Sequence, residues 1–91
     1  LGAPWQDAVA FAKLASRSPH LQLASVYSHL ATADDPDPTI MQRQQQRYEQ
    51  AIAALRQAGI VPPRLHLANS AATLSDRRFH YDLVRTGLAI Y

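Results

Sequence analysis

The sequence contains no cysteine. Disulfides, thiolate metal sites and thiol nucleophiles are therefore excluded, and the composition fits a cytoplasmic protein. Charge is scarce too: Asp, Glu, Lys and Arg make up 18%, and the formal net charge is +2 at pH 7. The basic residues are scattered arginines with no stripe of interleaved aromatics, so no nucleic-acid partner is expected. No apolar run approaches the roughly 18 residues of a membrane span. The opening Leu1-Gly2-Ala3-Pro4-Trp5 lacks the charged region and apolar core of a secretory leader. Neither a membrane partner nor a metal site is expected. Lysine occurs once, as Lys13.

Apolar residues account for 47% of the chain, which sets it apart from disordered and collagen-like sequences. At 91 residues it suits one small domain with a modest interior. The start lacks an initiator methionine, and the end, Leu88-Ala89-Ile90-Tyr91, is apolar with no polar tail. Both are expected to be cut edges of something longer.

Pro4 suits a first helical turn and Asp7 the positive end of the helix dipole. Trp5, Ala8, Val9 and Ala12 recur at three-and-four spacing, predicting a helix from Pro4 to Ser16. Ser18-Pro19-His20 breaks it, and Leu21 to Ser28 reads as a buried strand ending near His29. Asp34-Asp35-Pro36-Asp37-Pro38 is turn chemistry. From Thr39 to Ala58, Met41, Tyr48, Ala51, Ile52 and Leu55 share one helical face. Gly59 is placed to end that helix, and Leu65 to Ala68 is short and apolar, like a strand buried on both faces. Asn69-Ser70 offers a cap for a helix over Ala71 to Leu74. Asp76-Arg77-Arg78 reads as a surface turn and Tyr81 to Arg85 as one more short strand. This alternation predicts parallel strands joined by helical crossovers, with no repeat and no internal domain boundary. Three such strands are few for an independent sheet, which needs both faces covered and its edges managed.

In a parallel α/β barrel the working residues lie beyond the C-terminal ends of the strands. The three exits here are Tyr27-Ser28-His29-Leu30-Ala31-Thr32-Ala33-Asp34, His66-Leu67-Ala68-Asn69-Ser70-Ala71 and Asp82-Leu83-Val84-Arg85-Thr86-Gly87-Leu88. Taken singly, a histidine closing a strand is ordinarily structural and a serine before a helix ordinarily a cap. Together they supply complementary parts of one site for an anion and a heterocycle. Ser70 and Gly87 offer a hydroxyl and free backbone amides suited to a phosphate, and Arg85 adds a permanent cation.

These three strings, in this order and at compatible separations over essentially the whole chain, resemble alanine racemase. The resemblance implies an α/β fold: part of a (β/α)8 TIM-type barrel, about its last three strands with their helices. Residues 1–91 would then be a piece of the barrel domain that binds pyridoxal 5'-phosphate. It also implies a cytoplasmic homodimer interconverting L- and D-alanine to supply D-alanine for peptidoglycan. Carried over by position, Arg85 faces the pyridine nitrogen of the cofactor and His29 hydrogen-bonds Arg85. Ser70, with the backbone of Gly87 and Leu88, holds the phosphate, and Asn69 lies nearby. A guanidinium always donates and does not yield its proton at ordinary pH, so it should keep the ring nitrogen unprotonated. The ring is then a weaker electron sink, which favours racemisation over transamination.

The departures are informative. The family's Schiff-base lysine lies in an N-terminal motif absent from this sequence, and Lys13 sits on the opening helix, outside the expected barrel interior. The family's catalytic tyrosine comes from a C-terminal β domain, and Tyr27, Tyr48, Tyr81 and Tyr91 match no such motif. Thr86 stands where proline is frequent. No catalytic residue is therefore expected in this stretch, and the chain alone is expected to be inactive. The alternatives are a piece of a serine racemase-like enzyme or of a non-catalytic carrier of the same cofactor. A small helical interaction module built on Thr39 to Ala58 is a further class.

Overall fold

The computed structural model describes residues 2–91. The chain opens on a 3-10 turn, Trp5–Asp7, that runs into helix α1, Ala8–Arg17. The predicted helix thus begins as a tighter turn, in which the Asp7 N–H donates to the Pro4 carbonyl at 2.9 Å. Such turns are common where the first N–H groups of a helix lack i−4 partners. Strand β1 is Val26–Tyr27, helix α2 is Thr39–Gln57, strand β2 is Leu65–His66 and helix α3 is Ser70–Ser75. A 3-10 turn at Arg77–Phe79 and another at Leu88–Ile90 complete the order.

Helix α2 follows its sequence pattern closely. The same five residues that share a face in the sequence, Met41, Tyr48, Ala51, Ile52 and Leu55, are its buried ones. The helix stops at Gly59, whose φ of +79° places it in the left-handed region. There the Gly59 N–H reaches the Arg56 carbonyl at 3.0 Å and the Ile60 N–H the Leu55 carbonyl at 2.9 Å. That pair of bonds satisfies carbonyls the helix leaves open, and glycine adopts the required backbone without a Cβ penalty.

The strands are parallel, as the alternation predicts, but shorter. Val26 pairs with Leu65 and Tyr27 with His66. The third segment joins through a single parallel bridge, His66 to Leu83. The expected strand over Leu21 to Ser28 is thus a two-residue strand, and that over Tyr81 to Arg85 is a bridge. The reason lies in the ladder: a strand needs a neighbour, and the backbone of Leu21 to Ala24 pairs with no other segment among the described residues. Two further bonds hold the third segment to β2 and the residues that follow it. Asp82 N–H donates to the Leu65 carbonyl at 3.0 Å and Arg85 N–H to the Ala68 carbonyl at 2.9 Å.

Leu30, Ile52, Leu67 and Phe79 are almost completely buried and, with Ala68 and Ala72, join α2, β2, α3 and the Arg77–Phe79 turn into one core. Tyr81 enters the third segment with φ of +49°, uncommon for a residue with a Cβ. Its ring is held edge-on to Tyr48, centroids 5.2 Å apart, and its hydroxyl donates to Glu49. Burial and the Glu49 carboxylate both push the Tyr81 phenol above its ordinary range. No helix among the described residues is long and apolar enough to cross a membrane.

Candidate functional site

The exits of β1 and β2 and the end of the third segment open on one side of the sheet. They line a cleft of about 390 Å³. His29, Asn69, Ser70, Arg85, Gly87 and Leu88, the residues singled out in the sequence, all lie on its wall, with Leu30, Ala31, Asp34 and Ala71. Segments more than fifty residues apart converge because parallel pairing stacks their C-terminal ends side by side.

Arg85 is the most constrained of these groups. Its Nη2 donates to the Ser28 carbonyl at 2.8 Å and to the Leu67 carbonyl at 3.2 Å. Its Nη1 donates to Nδ1 of His66. The three bonds occupy three of the five N–H donors of a guanidinium. The expected hydrogen bond from His29 to Arg85 is not what the structure contains: His66 takes that place. Neighbouring strands in βα units pair directly, so the residue beside Arg85 comes from β2. His29 lies beyond the end of β1, one strand further away. That adjacency was the sequence signal that would have found His66.

His66 has a defined state. A guanidinium cannot accept, so Nδ1 must be the bare nitrogen and the proton must sit on Nε2, which faces Ser25 Oγ at 3.4 Å. Burial, and then the Arg85 cation, lower its pKa below the ordinary 6.5 and keep it neutral. Tyr27 stacks on the imidazole with centroids 4.7 Å apart and planes 7° from parallel. The Arg85 guanidinium carbon lies 5.2 Å from the centre of the Tyr27 ring, within reach of a cation–π contact.

The other wall is built from backbone. Ser70 Oγ accepts the N–H of Gly87 at 2.8 Å and that of Ala89 at 3.1 Å. Two amides thus converge on a single oxygen. Asn69 caps α3: its Oδ1 accepts the Ala72 N–H at 3.1 Å, while its Nδ2 donates to the Leu30 carbonyl at 3.2 Å. Asn69 therefore ties two exits together, and both ends of its amide are engaged by the protein. Lys13 lies exposed on α1, away from this cleft.

The whole chain, residues 1–91, matches the family model of the alanine racemase N-terminal domain. It is 63% identical to an alanine racemase of Nostoc sp. and 57% identical to one of Synechocystis sp., in each case over all of this chain and 24% of the relative. Among solved structures, an alanine racemase of Bacillus anthracis with bound L-Ala-P superposes with a TM-score of 0.87 at 32% identity, covering 98% of this chain and 23% of that one. The Streptomyces lavendulae enzyme superposes with a TM-score of 0.83 at 38% identity, over 96% and 23%. The chain thus spans about a quarter of the length of the relatives it matches. A parallel sheet whose exits gather His29, His66, Ser70, Arg85 and Gly87 in one region, with sequence and fold shared from end to end, makes this chain a member of the alanine racemase N-terminal domain family.

Proposed function

We propose that this chain forms the ring-nitrogen and phosphate end of the pyridoxal 5'-phosphate site of an alanine racemase, on the last three strands of a (β/α)8 barrel. The observation that carries this reading is the pairing of donor types in one cleft. Arg85 presents a permanent cation on one wall, and the Gly87 and Ala89 amides converge on the Ser70 hydroxyl oxygen on the other. Those donors suit the cofactor's two polar ends, a ring nitrogen with a lone pair and a phosphate.

On this reading Ser70, Gly87 and Leu88 would hold the phosphate, with oxygens from it replacing the Ser70 hydroxyl as acceptor for the backbone amides. Arg85 would face the ring nitrogen, and Asn69 would hold the wall in place. When bound, the cofactor supplies an electron sink for the α-carbon of an amino acid. Arg85 would donate a hydrogen bond to the ring nitrogen and keep its own proton. His66 keeps Arg85 in position because, neutral and bare at Nδ1, it can only accept from it. The lysine and tyrosine that move the substrate proton come from other parts of the parent protein, which acts on alanine. We extend the reading to a cytoplasmic homodimer that supplies D-alanine for peptidoglycan. The bound L-Ala-P of the Bacillus anthracis relative supports alanine-like chemistry at such a site.

The test uses the longer parent protein with pyridoxal phosphate. Ser70→Ala should weaken cofactor retention roughly tenfold, the scale of one charge-assisted hydrogen bond, and the wild type should racemise alanine in preference to serine. A parent that binds the cofactor without turnover would support the carrier alternative instead.

A further inference from the structure

The apolar stripe of α2 is interrupted at Gln44, three residues after buried Met41 and four before buried Tyr48. A half-buried glutamine on that face must place its amide somewhere. Its Oε1 accepts the Ala31 N–H at 3.1 Å, and its Nε2 donates to the His29 carbonyl at 3.3 Å. A carbonyl at one residue and an N–H two residues on are the groups that a single residue of a parallel neighbouring strand engages. The Leu30 carbonyl between them is taken by Asn69 Nδ2 at 3.2 Å. Segment 29–31, which follows β1 after its ladder has ended, is therefore held by two side-chain amides in place of strands.

We propose that Gln44 is a positioning residue for the cofactor cleft, its carboxamide standing in for a parallel strand so that His29 to Ala31 stay in place along the cleft wall. The inference rests on the cofactor reading above and adds a residue outside the cleft lining to it. The physical logic is preorganisation. His29, Leu30 and Ala31 line the cleft, and a loop that must be ordered on each binding event weakens that binding by the cost of ordering it.

The experiment uses the longer parent protein with Gln44→Met, which keeps the side-chain length and removes both bonds. Three readouts are taken: amide hydrogen exchange of residues 29–34 in the apoprotein, pyridoxal phosphate affinity, and apoprotein melting. Loop exchange should rise and cofactor affinity fall, each by about tenfold, the scale of two ordinary hydrogen bonds partly replaced by water. The melting temperature should stay near that of the wild type. Gln44→Glu serves as a second variant, because it keeps the acceptor and loses the donor. The Ala31 amide should remain protected in it while cofactor affinity still falls. Unchanged loop exchange in both variants would overturn the clamp, as would faster exchange with unaltered affinity, or a lowered melting temperature with no selective change at the loop. Failure of the cofactor reading is recognised separately. In that case Ser70→Ala and Arg85→Met would also leave affinity unaltered.

Discussion

Asp82 holds Leu65 at both of its backbone polar groups: its carboxylate Oδ2 accepts the Leu65 N–H at 2.7 Å, and its own N–H donates to the Leu65 carbonyl at 3.0 Å. The side chain replaces a ladder bond where the third segment is too irregular to supply one. The register so fixed carries Arg85, three residues on, to the end of the sheet. Asp82→Ala should cost about 1–3 kcal/mol, because the buried Leu65 amide loses its acceptor. Asp82→Asn, which keeps an acceptor oxygen, should recover most of that stability. Urea denaturation of the two variants checks the order; equal losses would show that the bond carries no weight.

Helix α2 and the gathering of the strand-exit residues in one cleft were legible in the sequence for different reasons. Helix α2 declared itself because five apolar residues at helical spacing leave few alternatives, and Gly59 marked its end. The six singled-out residues were found because strand exits are where parallel sheets gather polar groups. The strand lengths were not legible, since a strand exists only with its partner and apolar content does not reveal which residues will be paired. The role of His66 was missed because two histidines close successive strands, and only the strand order places one of them beside Arg85. Gln44 and Asp82 were invisible for a related reason: side chains that substitute for backbone partners carry no periodic signal.

The state of His66 predicts a pH dependence. Its folded pKa is depressed below 6.5, first by burial and then by Arg85. In the window just below 6.5 the unfolded chain binds more protons at this position than the folded one, so stability rises with pH there and is lost on acidification. His66→Asn retains an acceptor facing Arg85 without a titrating ring, and its stability should vary less with pH across that window. Chemical denaturation from pH 7 downward compares the two slopes; identical slopes would remove His66 as the source.

Phe79 predicts the strength of the core. It is 1% exposed and bonded into a short 3-10 turn, so its ring contributes packing that the surrounding backbone cannot readily collapse to replace. Phe79→Ala should destabilise by about 3–5 kcal/mol and Ile52→Val by about 0.5–1.5 kcal/mol. The comparison is made by equilibrium unfolding of the parent protein. A small loss at Phe79 would mean that α3 and the third segment settle into the space it leaves.

Arg85 gives the prediction that bears most directly on mechanism. On the cofactor reading proposed above, Arg85→Glu in the longer parent would place a carboxylate beside the ring nitrogen where a guanidinium now stands. A carboxylate favours the protonated form of a neighbouring ring nitrogen, whereas a guanidinium opposes it. The cofactor should then become a stronger electron sink, so that the substrate carbanion is less promptly reprotonated at its own carbon. Racemisation should fall on the order of tenfold or more, about 1.4 kcal/mol in the barrier, and transamination to pyridoxamine should rise. The structure adds a complication, because the same substitution removes the donors to the Ser28 and Leu67 carbonyls and turns the partner of His66 into an acceptor. Loss of rate alone would therefore not separate a tuned ring from a damaged fold. The ratio of transamination to racemisation does separate them, since a reduced folded fraction lowers both rates together. That ratio should rise in Arg85→Glu and stay near the wild-type value in Asp82→Ala, which perturbs the register while keeping the guanidinium. An unchanged ratio in a cofactor-loaded Arg85→Glu protein would leave Arg85 with a structural role and remove it from the chemistry.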